Sequence, residues 1–224
     1  MKNNKLIGIS GKMKSGKDTT AQVIQYLTTK ASERWNIDEY LKKIYPNLDN
    51  YGEIYKSDWK IKKFADGLKD LVCLLTGCSK NDLESQEFKN RYLPEEWNCY
   101  FFDDYKETIK RYTYRDVLQY VGTDLLREQF HQNVWVNCLF SKYNDDSKWI
   151  ISDVRFPNEV NRIKEKNGIT INILRPQTDH LAGSHISETA LDNYKDFDYV
   201  ILNDGTYENL LNEVNFILNK ENVI

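Results

Sequence analysis

Residues 6–24 read LIGISGKMKSGKDTTAQVI, and this stretch constrains the fold more than any other. Leu6–Ser10 is an apolar run suited to a short buried strand. Lys17–Thr28 carries Ala21, Ile24 and Leu27 at helical spacing on one side. Between them stand Gly11, four residues, then Gly16 and Lys17. Glycines at that spacing let the backbone turn sharply and aim its N–H groups into one concavity. The helix N-terminus adds partial positive charge there, and Lys17 adds a full one. The reading is a phosphate-binding loop; the alternative is a Gly/Lys turn that binds nothing. Lys12 and Lys14 concentrate further charge in the same loop.

One residue departs from the usual pattern: Asp18 follows the lysine where Ser or Thr is common, and Thr19 comes next. A carboxylate oxygen is itself a good magnesium ligand. Asp18 is therefore a candidate for the metal, directly or through water, with Thr19 a candidate phosphate contact. The alternative is that Asp18 caps the helix N-terminus.

The remainder fits a single domain of 224 residues with inserted material. A net charge of −3 argues against a dedicated nucleic-acid binder. No run of 18 apolar residues suggests a membrane span, so a cytoplasmic location is expected. Cys73, Cys78, Cys99 and Cys138 form no CxxC pair, and with only His131, His180 and His185 available a structural zinc site is not expected. Reduced, free thiols are.

Strand and helix patterns alternate. Lys60–Phe64 reads as a second strand and Ala65–Thr76 as a helix stopped by Gly77. Tyr114, Val117, Leu118, Val121, Leu125 and Leu126 space out one long amphipathic helix, and Val134–Tyr143 another. Trp149–Asp153 is an apolar run ending in an acid, as in a central parallel strand. Pro157 opens and Gly168 closes a following helix. Ile169, Ile171 and Ile173 alternate as a strand; Tyr199–Leu202 is the last strand, and Tyr207, Leu210, Leu211, Val214, Ile217 and Leu218 mark a closing helix. The pattern predicts an α/β fold with a parallel sheet covered on both faces. Residues 31–60 are not placed, and 78–108 are expected to be loops and short helices.

Outside the loop, Asp153 stands at the carboxyl end of a predicted central strand, where open α/β sheets bind ligands. Arg155, Asn158 and Glu159 follow it. A carboxylate near a metal and an arginine near phosphates suit phosphoryl transfer; a surface Asp–Arg pair is the plainer alternative. Arg115, Gln119 and Arg127 fall at spacings that place them roughly on one face of the long helix. They could hold a phosphate and a base edge, or form a solvated face with Asp116, Asp124 and Glu128 as ion partners. His180, His185 and Glu188 occupy a long connection after Arg175-Pro176, a candidate lid. Asn203-Asp204-Gly205-Thr206 opens the last helix and suits either an adenine contact or a plain cap.

Seven stretches carry a resemblance: SGKMKSGKDTTA (10–21), RDVLQYVGTDLLR (115–127), VWVN (134–137), SDVRFPNEVNRI (152–163), ILRP (173–176), HISET (185–189) and ILNDGTYENL (201–210). In this order the chain resembles the deoxynucleoside monophosphate kinases of tailed bacteriophages, relatives of adenylate kinase and dephospho-coenzyme A kinase. The GKDT form of the loop is a trait of that family. The resemblance implies a P-loop kinase fold with core segments 1–30, 60–64, 148–174 and 198–224, a monophosphate-binding insertion over about 65–145, and a short lid over about 175–195. It implies ATP and Mg2+ as cofactors and a deoxynucleoside monophosphate as acceptor, yielding the diphosphate for DNA precursor supply. Lys17, Asp153 and Arg155 would be catalytic. Gly11, Lys14, Ser15, Gly16, Lys17, Asp18, Thr19, Arg175, Asn203 and Gly205 would hold ATP. Lys14, Lys69, Arg115, Gln119, Arg127, Asp153, Arg155 and Glu188 would serve the acceptor, and Asp18 and Asp153 the metal. The segments 31–60 and 78–110 match weakly and should shape the nucleobase pocket. No nucleic-acid or membrane partner is expected, and a homodimer is compatible with this reading. The rival readings are a dephospho-coenzyme A or phosphomevalonate kinase, and a non-catalytic nucleotide-binding protein.

Overall fold

The computed structural model describes residues 5–30, 57–103, 106–144, 146–176 and 186–224. The chain divides into two compact units: residues 1–63 with 143–224, and residues 64–142. Residues 31–56, left unplaced by the sequence, lie outside the described residues, as do His180 and His185.

The first unit is built on a parallel sheet of five strands: β1 (Leu6–Gly11), β2 (Lys60–Lys62), β5 (Trp149–Val154), β6 (Ile169–Leu174) and β7 (Tyr199–Leu202). Their order across the sheet is β2-β5-β1-β6-β7. All four pairings are parallel. The central strands are buried on both faces, which is why they read as continuous apolar runs. On one face lie α1 (Lys17–Thr28) and α8 (Tyr207–Lys220). Ala21, Val23, Ile24 and Leu27 from the first, and Leu210, Leu211, Val214, Ile217 and Leu218 from the second, pack with Ile7, Ile9, Ile150, Ile171 and Ile173 in one cluster. Each fully buried Leu or Ile there contributes roughly 1.5–3 kcal/mol by leaving water, so side-chain burial rather than loop chemistry holds the sheet together. The opposite face is covered by α6 (Pro157–Glu165). It packs so closely that a Cβ at Gly8 would sit 2.4 Å from Ile163 Cδ1.

The strand order turns about β1: the chain builds β2 and β5 on one side of it and β6 and β7 on the other. A crevice at the carboxyl end of such a strand is the ligand position of open α/β sheets. The loop 11–17 leaves β1 at that end.

The second unit contains α2 (Ala65–Thr76), α3 (Gln86–Lys89), α4 (Tyr114–Gln119), α5 (Val134–Phe140) and an antiparallel hairpin of β3 (Cys99–Asp103) and β4 (Lys106–Lys110). The hairpin corrects the expectation of only loops and short helices over 78–108. Its strands are short and two-stranded, a pairing with little periodic signal. Val72, Leu83, Leu93 and Tyr114 form the unit's own small core.

The single long helix predicted from Tyr114 onward is also corrected. It is α-helical only over Tyr114–Gln119 and continues as a π-helix over Tyr120–Phe130. Gly122 lies against Leu68, where a Cβ would come within 2.6 Å of Leu68 Cδ2. Its carbonyl accepts a buried bond from Trp135 Nε1 at 2.8 Å. The Trp135 indole thus serves a carbonyl within the widened helix. Apolar spacing cannot announce such a change of winding.

Candidate active site

The loop after β1 is held by three left-handed residues, Gly11 (φ 147°), Lys14 (φ 63°) and Gly16 (φ 106°). Gly11 and Gly16 are needed for space as well as dihedral angle. A Cβ on Gly11 would lie 2.5 Å from both Ile173 O and Ser15 Oγ, and one on Gly16 would lie 2.4 Å from Asn203 Nδ2. That amide donates to Ser15 O at 2.8 Å and ties the loop to the turn after β7. Ser15 is fully buried, and its hydroxyl has no hydrogen-bond partner among the described residues. Such a group costs free energy unless a ligand oxygen or water reaches it.

Lys17 opens α1 and folds back over the loop, where Nζ donates to Gly11 O and Lys12 O, both at 2.7 Å. Its ammonium thus occupies the concavity. Burial first, and the Arg155 guanidinium second, push Lys17 down to about 8, against the opposing pull of Asp18, Glu188 and Asp153. Three carboxylates and one arginine therefore lie within electrostatic range of one lysine.

Asp18 does not cap the helix. Gly16 is the N-cap and supplies no side-chain bond. Asp18 Oδ1 instead accepts from Ser152 Oγ of β5 at 3.0 Å and pairs with Lys63 Nζ at 3.2 Å. Asp153 stands beside Ser152 and is 9% exposed. Thr19 lies half-buried in the first turn of α1. Thr20 Oγ1 bonds Gly16 O.

Arg155 follows β5. Its backbone N–H donates to Glu159 Oε2 at 2.7 Å, and that of Phe156 to the same oxygen at 3.1 Å. The buried Glu159 thus closes the start of α6 from the N3 position, a capping role that Pro157 and the acid two residues on announce in the sequence. The Arg155 side chain pairs with Glu188. Glu188 belongs to α7 (Ile186–Thr189), within the expected lid segment. Lys12 fastens the same segment, donating to Glu188 O at 3.1 Å and pairing with Asp192. Arg175 is exposed just past β6. Asn203 supports the loop backbone, Gly205 lies in the turn beyond it, and Thr206 is the N-cap of α8, accepting from Asn209 N.

The structure thus brings together Gly11, Ser15, Gly16, Lys17, Asp18, Asp153, Arg155, Glu188 and Asn203 in the first unit, with Lys14 exposed on the loop. The remaining candidates are in the second unit. Lys69 pairs with Glu84. Arg115 donates to Asn90 Oδ1 at 3.0 Å and Gln86 Oε1 at 2.7 Å. Gln119 is half-buried at the end of α4. Arg127 is only 8% exposed, and its Nη1 lies 3.4 Å from Gln132 O. The two arginines do not share one solvated face, and Asp116 is engaged in a capping box with Thr113. Sequence reasoning missed Ser152, Lys63 and Asp192. Of these only Ser152 left a signal, as a hydroxyl inside an otherwise apolar strand.

Sheet order, loop conformation and the lysine over the loop together define a P-loop kinase fold. The family profile described as deoxynucleotide monophosphate kinase matches residues 68–214. A protein of Acanthamoeba polyphaga mimivirus that carries this name provisionally is 31% identical over 93% of this chain and 93% of its own length. The deoxynucleotide monophosphate kinase of Enterobacteria phage T4 is 25% identical over 94% of this chain and 97% of its own. The deoxynucleoside-5′-monophosphate kinase of Escherichia phage T5 is 37% identical over 27% of this chain and 25% of its own length. The chain belongs to the deoxynucleotide monophosphate kinase family and is a phosphotransferase. No helix among the described residues is long and apolar enough to cross a membrane.

The depressed Lys17 predicts a proton signature. Between about 8 and its ordinary 10.5 the folded, ligand-free protein binds fewer protons at Lys17 than the unfolded chain, so this group makes stability rise with pH across that window. An anion in the loop favours the ammonium and restores the proton. Nucleotide binding at pH 8.5 is expected to take up protons, measured by calorimetry in buffers of different ionisation enthalpy. Lys17→Met should remove that uptake. The same uptake in the variant would place the titrating group elsewhere.

Proposed function

We propose that this chain transfers the γ-phosphoryl group of ATP to a deoxynucleoside 5′-monophosphate, giving the diphosphate, and so supplies DNA precursors. The observation that carries the reading is the convergence on Lys17. A loop with an inward ammonium, an arginine and three carboxylates lie together near the carboxyl ends of β1 and β5. Two polyanions must be brought together for this reaction, and catalysis is then largely positioning and charge stabilisation. In this reading the loop N–H groups and Ser15 Oγ take ATP phosphate oxygens, displacing the Lys17 ammonium from the carbonyls of Gly11 and Lys12. Lys17 follows the transferred group. Arg155 leaves Glu188 to span donor and acceptor phosphates, where its fork suits bidentate contact. The acceptor oxygen is already anionic, so no general base is assigned.

The residues fit Mg2+. Asp18 and Asp153 supply hard oxygen donors near Lys17, and magnesium in such sites takes one or two carboxylates, with substrate phosphates and water completing the shell. When bound, the ion would neutralise phosphate charge. Asp18→Asn keeps an acceptor for Ser152 but loses the charge. It is expected to raise the magnesium concentration needed for half-maximal turnover at fixed ATP, with thermal stability near wild type. An unchanged titration curve would remove Asp18 from the metal.

The acceptor side is assigned to the inserted unit, to Lys69, Arg115, Gln119 and Arg127. ADP release should depend on a deoxynucleoside monophosphate when the common four and modified pyrimidine monophosphates are offered with dephospho-coenzyme A and phosphomevalonate as controls. Turnover only with a control would reassign the acceptor. ATP binding without turnover on any of them would make the chain a nucleotide binder.

A further inference from the structure

Cys73 and Cys78 lie outside everything assigned above. Cys73 is in the last turn of α2. Gly77, in the left-handed region at φ 73°, ends that helix and reverses the chain so that Cys78 returns over the turn. The Cys78 thiol donates to Cys73 Sγ with the sulfurs 3.8 Å apart, and Thr76 Oγ1 lies 3.3 Å from Cys78 Sγ. Both cysteines are half-buried, whereas Cys99 and Cys138 are exposed and stand on other elements. The pair packs against the small core of Val72, Leu83, Leu93 and Tyr114.

We propose that Cys73 and Cys78 form a dithiol site that closes reversibly to an intramolecular disulfide on exchange with a low-molecular-weight disulfide. The geometry favours it on three counts. The sulfurs are in van der Waals contact, so closure needs a movement of under about 2 Å to reach bonding distance. The reversal at Gly77 is already made, and an exposed glycine with no heavy atom of the described residues near its Cβ position can absorb the adjustment. The loop closed is short, so the crosslink removes little chain entropy from the unfolded state and works as a reversible clamp rather than a structural staple.

Burial pushes the Cys73 thiol up to about 11. The exchange can open from either sulfur with the same product. From Cys78, the thiolate attacks one sulfur of the external disulfide, forming a mixed disulfide and releasing one external thiol. The Cys73 sulfur, losing its proton, then attacks Cys78 Sγ and expels the second external thiol. One external disulfide is reduced to two thiols, and two protein thiols are oxidised to one bond.

The test uses the whole protein with oxidised glutathione, read by intact mass, peptide mapping and thiol counting. Exposed Cys99 and Cys138 are expected to take glutathione adducts. Beyond those adducts the monomer should lose two hydrogen atoms in mass, the linked peptide should join Cys73 to Cys78, and dithiothreitol should restore all thiols. Cys73→Ser should stop at a glutathione adduct on Cys78. Because that variant alters a core contact, the Cys99→Ser/Cys138→Ser double variant provides the second arm. It retains only the pair and should lose both thiols as a monomer. A wild type that keeps every thiol, a linked peptide containing Cys99 or Cys138, or a double variant that accumulates only adducts or crosslinked dimers would overturn the proposal.

Discussion

Replacing Lys17 with alanine is expected to lower turnover at least about 100-fold, the scale of a lost electrostatic contact to a transition state. The fold should survive. The ammonium is held by two backbone carbonyls of its own loop. The layer beneath, Ile7, Ile9 and Ile24, does not depend on it. Removing a half-buried cation whose burial disfavours its charge also relieves a cost rather than adding one. The check is steady-state ADP release with saturating acceptor, alongside circular dichroism and a melting curve. A folded variant with near-normal turnover would take the loop out of the reaction.

Arg155→Ala is expected to lower kcat by roughly 100- to 1,000-fold while ATP affinity, measured separately by calorimetry, changes much less. The structure makes the substitution clean. Glu159 anchors the backbone N–H of Arg155, so the start of α6 keeps its cap when the side chain is cut. Arg155→Lys should recover only part of the loss, because a point charge cannot replace a fork that meets two oxygens at once. If the alanine variant keeps its kcat and only melts earlier, Arg155 is a surface partner of Glu188 and nothing more.

Legibility in the sequence tracked the distance over which each feature is decided. The strand–loop–helix at 6–28 could be read because its signal is local: apolar run, two glycines, lysine, apolar stripe. The buried strands at 149–154 and 169–174 could be read for the same reason. The hairpin at 99–110 left no such mark, and within the π-helix Gly122 meets Leu68 and Trp135, partners that no local window contains. Within the site, residue types were legible and partnerships were not. Asp18 could be named as a departure from the usual hydroxyl. Its attachment to Ser152 is a contact across 134 positions that no local window contains. Asn203 could be named as a candidate ATP contact, but its bond to the loop carbonyl of Ser15 could not be read.

That bond bears on the order in which the protein can become active. Asn203 and Ser15 are 188 positions apart, so the loop is synthesised well before its brace. Until β7 has docked beside β6, the loop has its glycines but lacks the amide that holds the Ser15 carbonyl. Contacts of such long sequence separation form late, because their closure entropy must be met before they contribute. A nascent chain therefore carries an unbraced loop until β7 has been made and has docked.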